Sequence, residues 1–312
     1  MKSKILSFNL WAAALLVLLL GAPPSYGWGN DGHRDINREA ALVLPADVPA
    51  FLRTTEAVNE IEYLGPEPDR WRSKGAPELS AEQAPDHFMD MEMADLVGTL
   101  PRNRYDFIRA LQVYADKNPS MAAELTPEKV GLQPYQTNEV YERLLVAFRT
   151  YRDYSAAKLD TRPVEQSIIF YAGWLGHYAG DGSQPLHTSV QYNGWVGENP
   201  HGYTTQHTIH SQFETAFVSA NIKPEDFASL MGKPHVMGDV FTEYVAYLRH
   251  SNSLVEKVYQ LEKAGGFDGA GSTESIDFTR ERLAAGATML RDLIYTAWVK
   301  SADLPSDPYL LK

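Results

Sequence analysis

Between Ser167 and His187 the chain spells a buried helix and then its abrupt end. Ser167-Ile168-Ile169-Phe170-Tyr171-Ala172-Gly173-Trp174-Leu175 is almost wholly apolar, and Gly176-His177-Tyr178-Ala179-Gly180-Asp181 continues it. On a helix, residues four apart leave the same face, so His177 and Asp181 project together. Gln184-Pro185 stops the helix, because proline drives its predecessor out of the helical region. His187 follows the break and can swing back to the same side. Two imidazoles and a carboxylate around one helix end suit a divalent metal such as zinc. The plainer alternative is a helix end with a capping Asp and two incidental histidines.

The chain has 312 residues, of which 44% are hydrophobic and 22% charged, so a sizeable core can be buried. Its first residues read as a secretory signal. Lys2 and Lys4 make a positive start, and the apolar run Leu10–Leu20 is short for a membrane span. Pro23-Pro24 break it, and Ser25-Tyr26-Gly27 offers small residues for cleavage. Residues 1–27 are therefore expected to be removed, giving a secreted or periplasmic protein; an uncleaved anchor is the competing reading. Cleavage would leave Trp28 as the first residue. With no cysteine in the chain, neither a disulfide nor a cysteine-linked lipid is available. Stability outside the cell then rests on the core or on bound metal. The formal charge of −12 argues against broad nucleic-acid binding through basic patches.

The remaining pattern is helical throughout, predicting an all-α fold with one multi-helix domain over 28–312. A helix is expected from Arg34 to about Leu44, capped by Asn30 or Asp31, and a short one from Val48 through Phe51. The proline- and glycine-rich stretch Glu56–Pro85 reads as a long ordered loop, which at that length is usually functional. Helices are expected over Asn103–Asp116 and Gln136–Ala157, then the opening motif. A Gly/Asn-rich loop spans Thr188–Tyr203. Further helices are expected at His207–Ala220, Gly238–Lys263 and Ile276–Ser301.

Nine histidines occur. His250 has no acidic partner at helical spacing. His235 has Asp239 four residues on, but Pro234 and Gly238 argue against a helix across that pair, and His201 and His207 only flank the Gly-rich loop. His33, His87, His177, His187 and His210 sit in compact pieces, with Asp181 and Glu214 each four residues beyond a histidine. A helical His-x-x-x-Asp or His-x-x-x-Glu is a natural two-ligand clamp for zinc.

Together these residues resemble the zinc-dependent phospholipase C and single-strand-specific zinc nuclease superfamily. The resemblance runs from Trp28 through His33, Asp69, His87, His177-x-x-x-Asp181, Gln184-Pro185-Leu186-His187 and His210-x-x-x-Glu214, to about Phe217. It implies an all-α fold and three zinc ions. Asp69, His87, His177 and Asp181 would bind the first; His187, His210 and Glu214 the second. The free amine and carbonyl of Trp28, His33 and a bridging Asp181 oxygen would bind the third. An α-amine binds zinc only when it is not locked in an amide, which would explain signal removal. The chain mixes the two branches. Trp28 to His33 is short, as in the nucleases. Glu214 is phospholipase-like, since the nucleases usually carry Asp there. Ser183 stands where many nucleases have His. Asp86 and Asp90 compete with Asp69 for the first site, Asp90 alternatively orienting His87.

The implied activity is phosphodiester hydrolysis of the phospholipase C type, with Asp69 as proton acceptor by family analogy. Single-strand-specific nuclease activity is the alternative within the superfamily. A non-catalytic, zinc-stabilised exported protein is the alternative outside it. Arg70 and Arg72 are expected to be solvated or paired. Tyr192, Trp195 and Tyr203 could line the approach of a lipid or stack on a base, or simply pack the loop. A monomer is expected, with at most transient contact with a membrane surface and no membrane-spanning segment once the signal is gone.

Overall fold

A computed structural model describes residues 28–306, so the expected signal segment lies outside the described residues. The fold is helical almost throughout, and the extended pairings among the described residues are the isolated bridges Met89–Gly131 and Tyr192–Gly194. The chain opens with α1 (Gly29–Leu42), α2 (Thr55–Leu64), α3 (Glu67–Trp71), α4 (Pro77–Gln83) and α5 (Met91–Ala94). It continues through α6 (Arg104–Lys117), α7 (Pro127–Val130), α8 (Gln133–Ala157) and α9 (Arg162–Ser183). Then come α10 (Ile209–Ser211), α11 (Val218–Asn221), α12 (Glu225–Ala228), α13 (Val240–Asn252), α14 (Val255–Lys263) and α15 (Thr273–Lys300). Among these helices none is both long and apolar enough to cross a membrane.

The middle of the molecule is α9, against which α1, α2, α8, α13 and α15 all pack. Ile168, Ala172, Leu175 and Ala179 of α9 are fully buried with Ile36 of α1, Leu144 of α8 and Leu290 of α15. Close approach is bought by glycine. A Cβ on Gly176 would lie 1.9 Å from Asn37 Oδ1, and one on Gly173 would lie 2.4 Å from Leu64 Cβ. The buried Asn37 amide donates to Ile61 O and to Gly173 O, tying α1, α2 and α9 at one point. A smaller cluster, including Met89, Phe107, Leu111, Tyr135, Phe241 and Leu248, packs α6 and α13 beneath the start of α8.

Several boundaries differ from expectation, each for a local reason. The stretch Glu56–Pro85 is not a loop but three short helices. Pro68 and Pro77 sit at first-turn positions of α3 and α4, where a missing N–H costs nothing. Thr54 caps α2 by accepting from Ala57 N. α1 begins at Gly29, so Asn30 and Asp31 lie inside its first turn rather than capping it. The short helix expected over Val48–Phe51 is a 3-10 turn, Ala50–Arg53. The helix expected over Gly238–Lys263 breaks after Asn252. There Ser253 Oγ donates to His250 O, a local bond that competes with helical continuation, while Ser251 Oγ donates to Gly182 O and Asn252 Nδ2 to Thr188 O, tying the end of α13 to distant segments.

Gly176→Ala is expected to destabilise the chain by about 2 kcal/mol or more, since neither Asn37 nor Leu290 has room to yield. Urea unfolding of the two proteins measures it; an unchanged midpoint would contradict this packing.

Candidate metal centre

Seven elements deliver the cluster. His33 comes from α1 and Asp69 from α3. His87 ends the 3-10 turn Ala84–His87. His177 and Asp181 lie one turn apart on α9, and His187 lies on the 3-10 turn Pro185–Thr188 that follows it. His210 belongs to α10, and Glu214 to a π-helical segment, Gln212–Phe217. The helix expected over His207–Ala220 is therefore irregular, with a π-turn of the kind often found at functional sites.

Four of the five rings, all but that of His33, are aimed by a bond on the far side. His177 Nδ1 donates to Gly65 O at 2.9 Å, His187 Nδ1 to His87 O at 2.8 Å, and His210 Nδ1 to Tyr192 O at 2.8 Å. Carbonyl oxygens only accept, so these three nitrogens carry the proton and the opposite Nε2 atoms carry lone pairs when the rings are neutral. His87 Nε2 donates to Gln83 Oε1 at 2.9 Å, leaving Nδ1 as its lone pair. The same Gln83 amide donates to Pro68 O, which ties the helix bearing Asp69 to the ring of His87.

The free nitrogens meet in two pairs. His177 Nε2 lies 2.9 Å from His87 Nδ1, and His187 Nε2 lies 3.1 Å from His210 Nε2. Facing lone pairs repel unless a proton or a cation sits between them. Two nitrogens on one tetrahedral zinc stand about 3.3 Å apart, given Zn–N near 2.0–2.1 Å. Carboxylates complete both sets. Asp181 Oδ2 is 3.2 Å from His177 Nε2 and 3.3 Å from His87 Nδ1. Glu214 Oε2 is 2.7 Å from His210 Nε2 and 3.5 Å from His187 Nε2. His33 stacks on His177 with ring centroids 4.0 Å apart, and its Nε2 is 3.3 Å from Asp181 Oδ1. Three buried groups could thus hold a metal: His87/His177/Asp181, His187/His210/Glu214 and His33/Asp69/His177.

Unsatisfied atoms point the same way. Both Asp181 carboxylate oxygens, both His33 nitrogens and Asp69 Oδ1 are buried without a hydrogen-bond partner. Leaving such groups bare costs on the order of several kcal/mol per ion, so the donor set fits a bound cation. Burial would raise the Asp181 carboxyl, but the His177 and His187 imidazoles hold it well below the usual carboxylate range. Burial opposes protonation of His187, yet Asp181 and Glu214 lift it to about 9. Burial drives His87 down to about 4 despite Asp181. Burial also raises Asp69 above an ordinary carboxyl, partly offset by His177 and His33.

Among the three competing carboxylates, Asp69 is the one near the rings, 3.8 Å from His87 Nδ1 and 3.9 Å from His177 Nε2. Asp86 faces Arg104 at 3.7 Å. Burial lifts Asp90 to about 8, with Glu92 adding to the rise and His187 opposing it; no contact joins Asp90 to the His87 ring. Trp28 is fully buried at the start of α1. Its indole Nε1 donates to Gly180 O and Ser183 Oγ, which fastens the start of α1 beside Asp181. Ser183 and Gln83 were not singled out as supports by the sequence, although Gln83-x-x-x-His87 is a readable spacing. Gln184, part of the motif, caps the turn bearing His187 through Leu186 N and donates to Glu214 Oε2. Gly131, at φ 88, lets Phe88 O approach where a Cβ would sit 2.1 Å away, and so seats the strand-like segment after His87.

No known protein family, curated protein or solved structure matches this chain. The remaining histidines stay outside the cluster: His201 faces Glu256, His235 pairs with Glu243, His207 binds Asn193 O, and His250 is exposed. Arg70 pairs with Glu67 and lies over Tyr63, while Arg72 is close enough to act electrostatically on Asp69 and His87. Trp195 and Tyr203 pack on each other and on Tyr259, so neither is a free shelf. Tyr192 is 54% exposed, with its ring 6.1 Å from His210. Clefts of about 670 and 450 Å³ elsewhere include none of the cluster residues.

Metal binding should depend on pH with a definite sign. The metal-free fold holds His187 at about 9, above an unfolded value near 6.5, so its contribution to stability is complete below about 6.5 and lost as pH rises to about 9. A cation needs the neutral ring, so it gains advantage over the same range. The rise in Tm on adding zinc is expected to grow from about pH 6.5 to about pH 8.5, as read by scanning fluorimetry. A rise independent of pH would contradict it.

Proposed function

We propose that this protein is a zinc-dependent phosphodiester hydrolase of the phospholipase C type, as the resemblance of its sequence implies. The observation that supports this reading most is the pair of imidazole couples with inward lone pairs, joined through Asp181. Such a donor set is costly without cations and fits several of them at short spacing.

On this reading His87, His177, Asp181 and Asp69 hold one zinc, His187, His210 and Glu214 a second, and Trp28, His33 and Asp181 a third. Bound zinc supplies Lewis acidity and brings the pKa of water toward neutrality. The chain's own residues do the rest. Gln83, Gly65 O, His87 O and Tyr192 O hold the four rings in one tautomer. Asp69, raised by burial and with Oδ1 unpartnered, is suited to accept a proton from the attacking water. Arg72 acts electrostatically on Asp69, opposing the rise that burial causes.

The nuclease reading has one specific observation in its favour. Tyr192 offers an exposed aromatic face beside His210, on which a base could stack. Phosphatidylcholine and single-stranded DNA assayed side by side distinguish the two. Exhaustive chelation should lower hydrolysis of either substrate by more than about 100-fold, with recovery on adding zinc. Metal uptake and stabilisation with no turnover on either substrate would favour the non-catalytic reading.

The role given to Trp28 has its own check. The chain beginning at Trp28 is expected to retain three zinc ions per molecule, and one with a single residue added before Trp28 only two, measured by plasma mass spectrometry. Equal metal content would remove the amine from the site.

A further inference from the structure

His210 has little helix of its own to hold it. It lies on α10, which is three residues long, and the π-helical segment follows at once. Its ring is fixed instead by the turn Gln191–Gly194, earlier in the chain. Tyr192 O accepts from His210 Nδ1 at 2.8 Å, and Asn193 Oδ1 accepts from His210 N at 3.3 Å. Asn193 O also accepts from His207 Nδ1 at 2.6 Å. The aim of His210 Nε2 at Glu214 and His187 is therefore only as firm as that turn.

The turn hangs on α14. Glu256, Tyr259 and Lys263 stand three and four residues apart, so they share one face of that helix, and all three bond the loop Thr188–Tyr203. Tyr203 Oη donates to Glu256 Oε1 at 2.8 Å, and Lys263 Nζ donates to His201 O. Those two bonds hold the end of the loop far from Tyr192 in sequence. Tyr259 holds the turn itself. It is fully buried, and its hydroxyl donates to Gln191 O at 2.6 Å while accepting from Gly194 N at 2.9 Å. A hydroxyl has one hydrogen to donate and lone pairs to accept with, and both capacities are used here. Trp195 stands edge-on to the Tyr259 ring, with centroids 5.1 Å apart, which fixes where the hydroxyl points. One phenol thus closes both ends of the turn whose middle carries the Tyr192 carbonyl.

We infer that Tyr259 is a positioning residue for the metal centre. By clamping Gln191 O and Gly194 N it holds the Tyr192 carbonyl on His210 Nδ1, and so keeps His210 Nε2 free of hydrogen and turned toward the metal. The inference rests on the metal reading of the cluster, but on no substrate and no turnover. His87 and His177 are aimed by Gln83 and Gly65 O instead, so the clamp acts on one half of the cluster.

Tyr259→Phe keeps the ring and removes the hydroxyl. Zinc-loaded chains beginning at Trp28 are dialysed against graded concentrations of a chelator, and zinc per molecule is counted by plasma mass spectrometry. The variant is expected to release one zinc at a chelator concentration lower by about tenfold or more, and to hold the others as the parent does. Cadmium-113 NMR of the cadmium-loaded chains should show one resonance moved and the rest in place. Gly194→Ala reaches the same turn with Tyr259 intact: at φ 110 an added Cβ would lie 2.9 Å from Thr205 O, so the turn is strained and the same zinc should leave early. Tyr203→Phe is the control for general loosening, since it cuts the same loop from the same helix at Glu256. It should hold zinc as the parent does, whatever it costs in Tm. Zinc held as tightly as in the parent by either folded turn variant, or lost equally from Tyr203→Phe, overturns the assignment and leaves the metal reading standing. A parent chain that takes up no zinc overturns both.

Discussion

A carboxylate with no hydrogen bond, buried among imidazoles, governs this structure. Asp181 is fully buried, both its oxygens lack a hydrogen-bond partner, and four histidine rings stand within 3.7 Å of it. No backbone N–H reaches that charge. The arrangement is tolerable only if positive charge lies between the acid and the rings. Protons on His177 and His187 provide it in the metal-free chain, and a divalent cation provides it better, because one ion satisfies several donors at once.

The rest of the fold is built to hold this point. Gly173 and Gly176 let α1 and α2 close on α9, which brings His33 onto the face of His177. Asn37 then stitches the three helices with two bonds that leave no donor free. Ser251 and Tyr244 bond the carbonyls of Gly182 and Tyr178, so α13 braces the end of α9 from the other side. The 3-10 turn bearing His87 is held by Met89 N donating to His187 O, which couples the two halves of the cluster through the backbone. On the proposed reading, this rigidity keeps the donor set at metal spacing.

The sequence by itself determined the helical class and the identity of the clustered residues. Periodicity and i, i+4 spacing are local properties, so His177/Asp181 and His210/Glu214 could be read directly, as could the break at Gln184-Pro185. Tertiary structure alone decided the rest. It showed that Glu56–Pro85 folds as helices, because prolines at first-turn positions look like loop signals in one dimension. It chose Asp69 over Asp86 and Asp90 as the carboxylate nearest the rings. That choice depends on Gln83 bridging Pro68 to His87, a contact across 15 residues on one side and 4 on the other. It aimed His177, His187 and His210 through carbonyls at Gly65, His87 and Tyr192, and backbone oxygens leave no mark in a sequence. Which nitrogens face inward, and hence whether scattered histidines become one centre, is a property of chain segments distant in sequence and packed together in space.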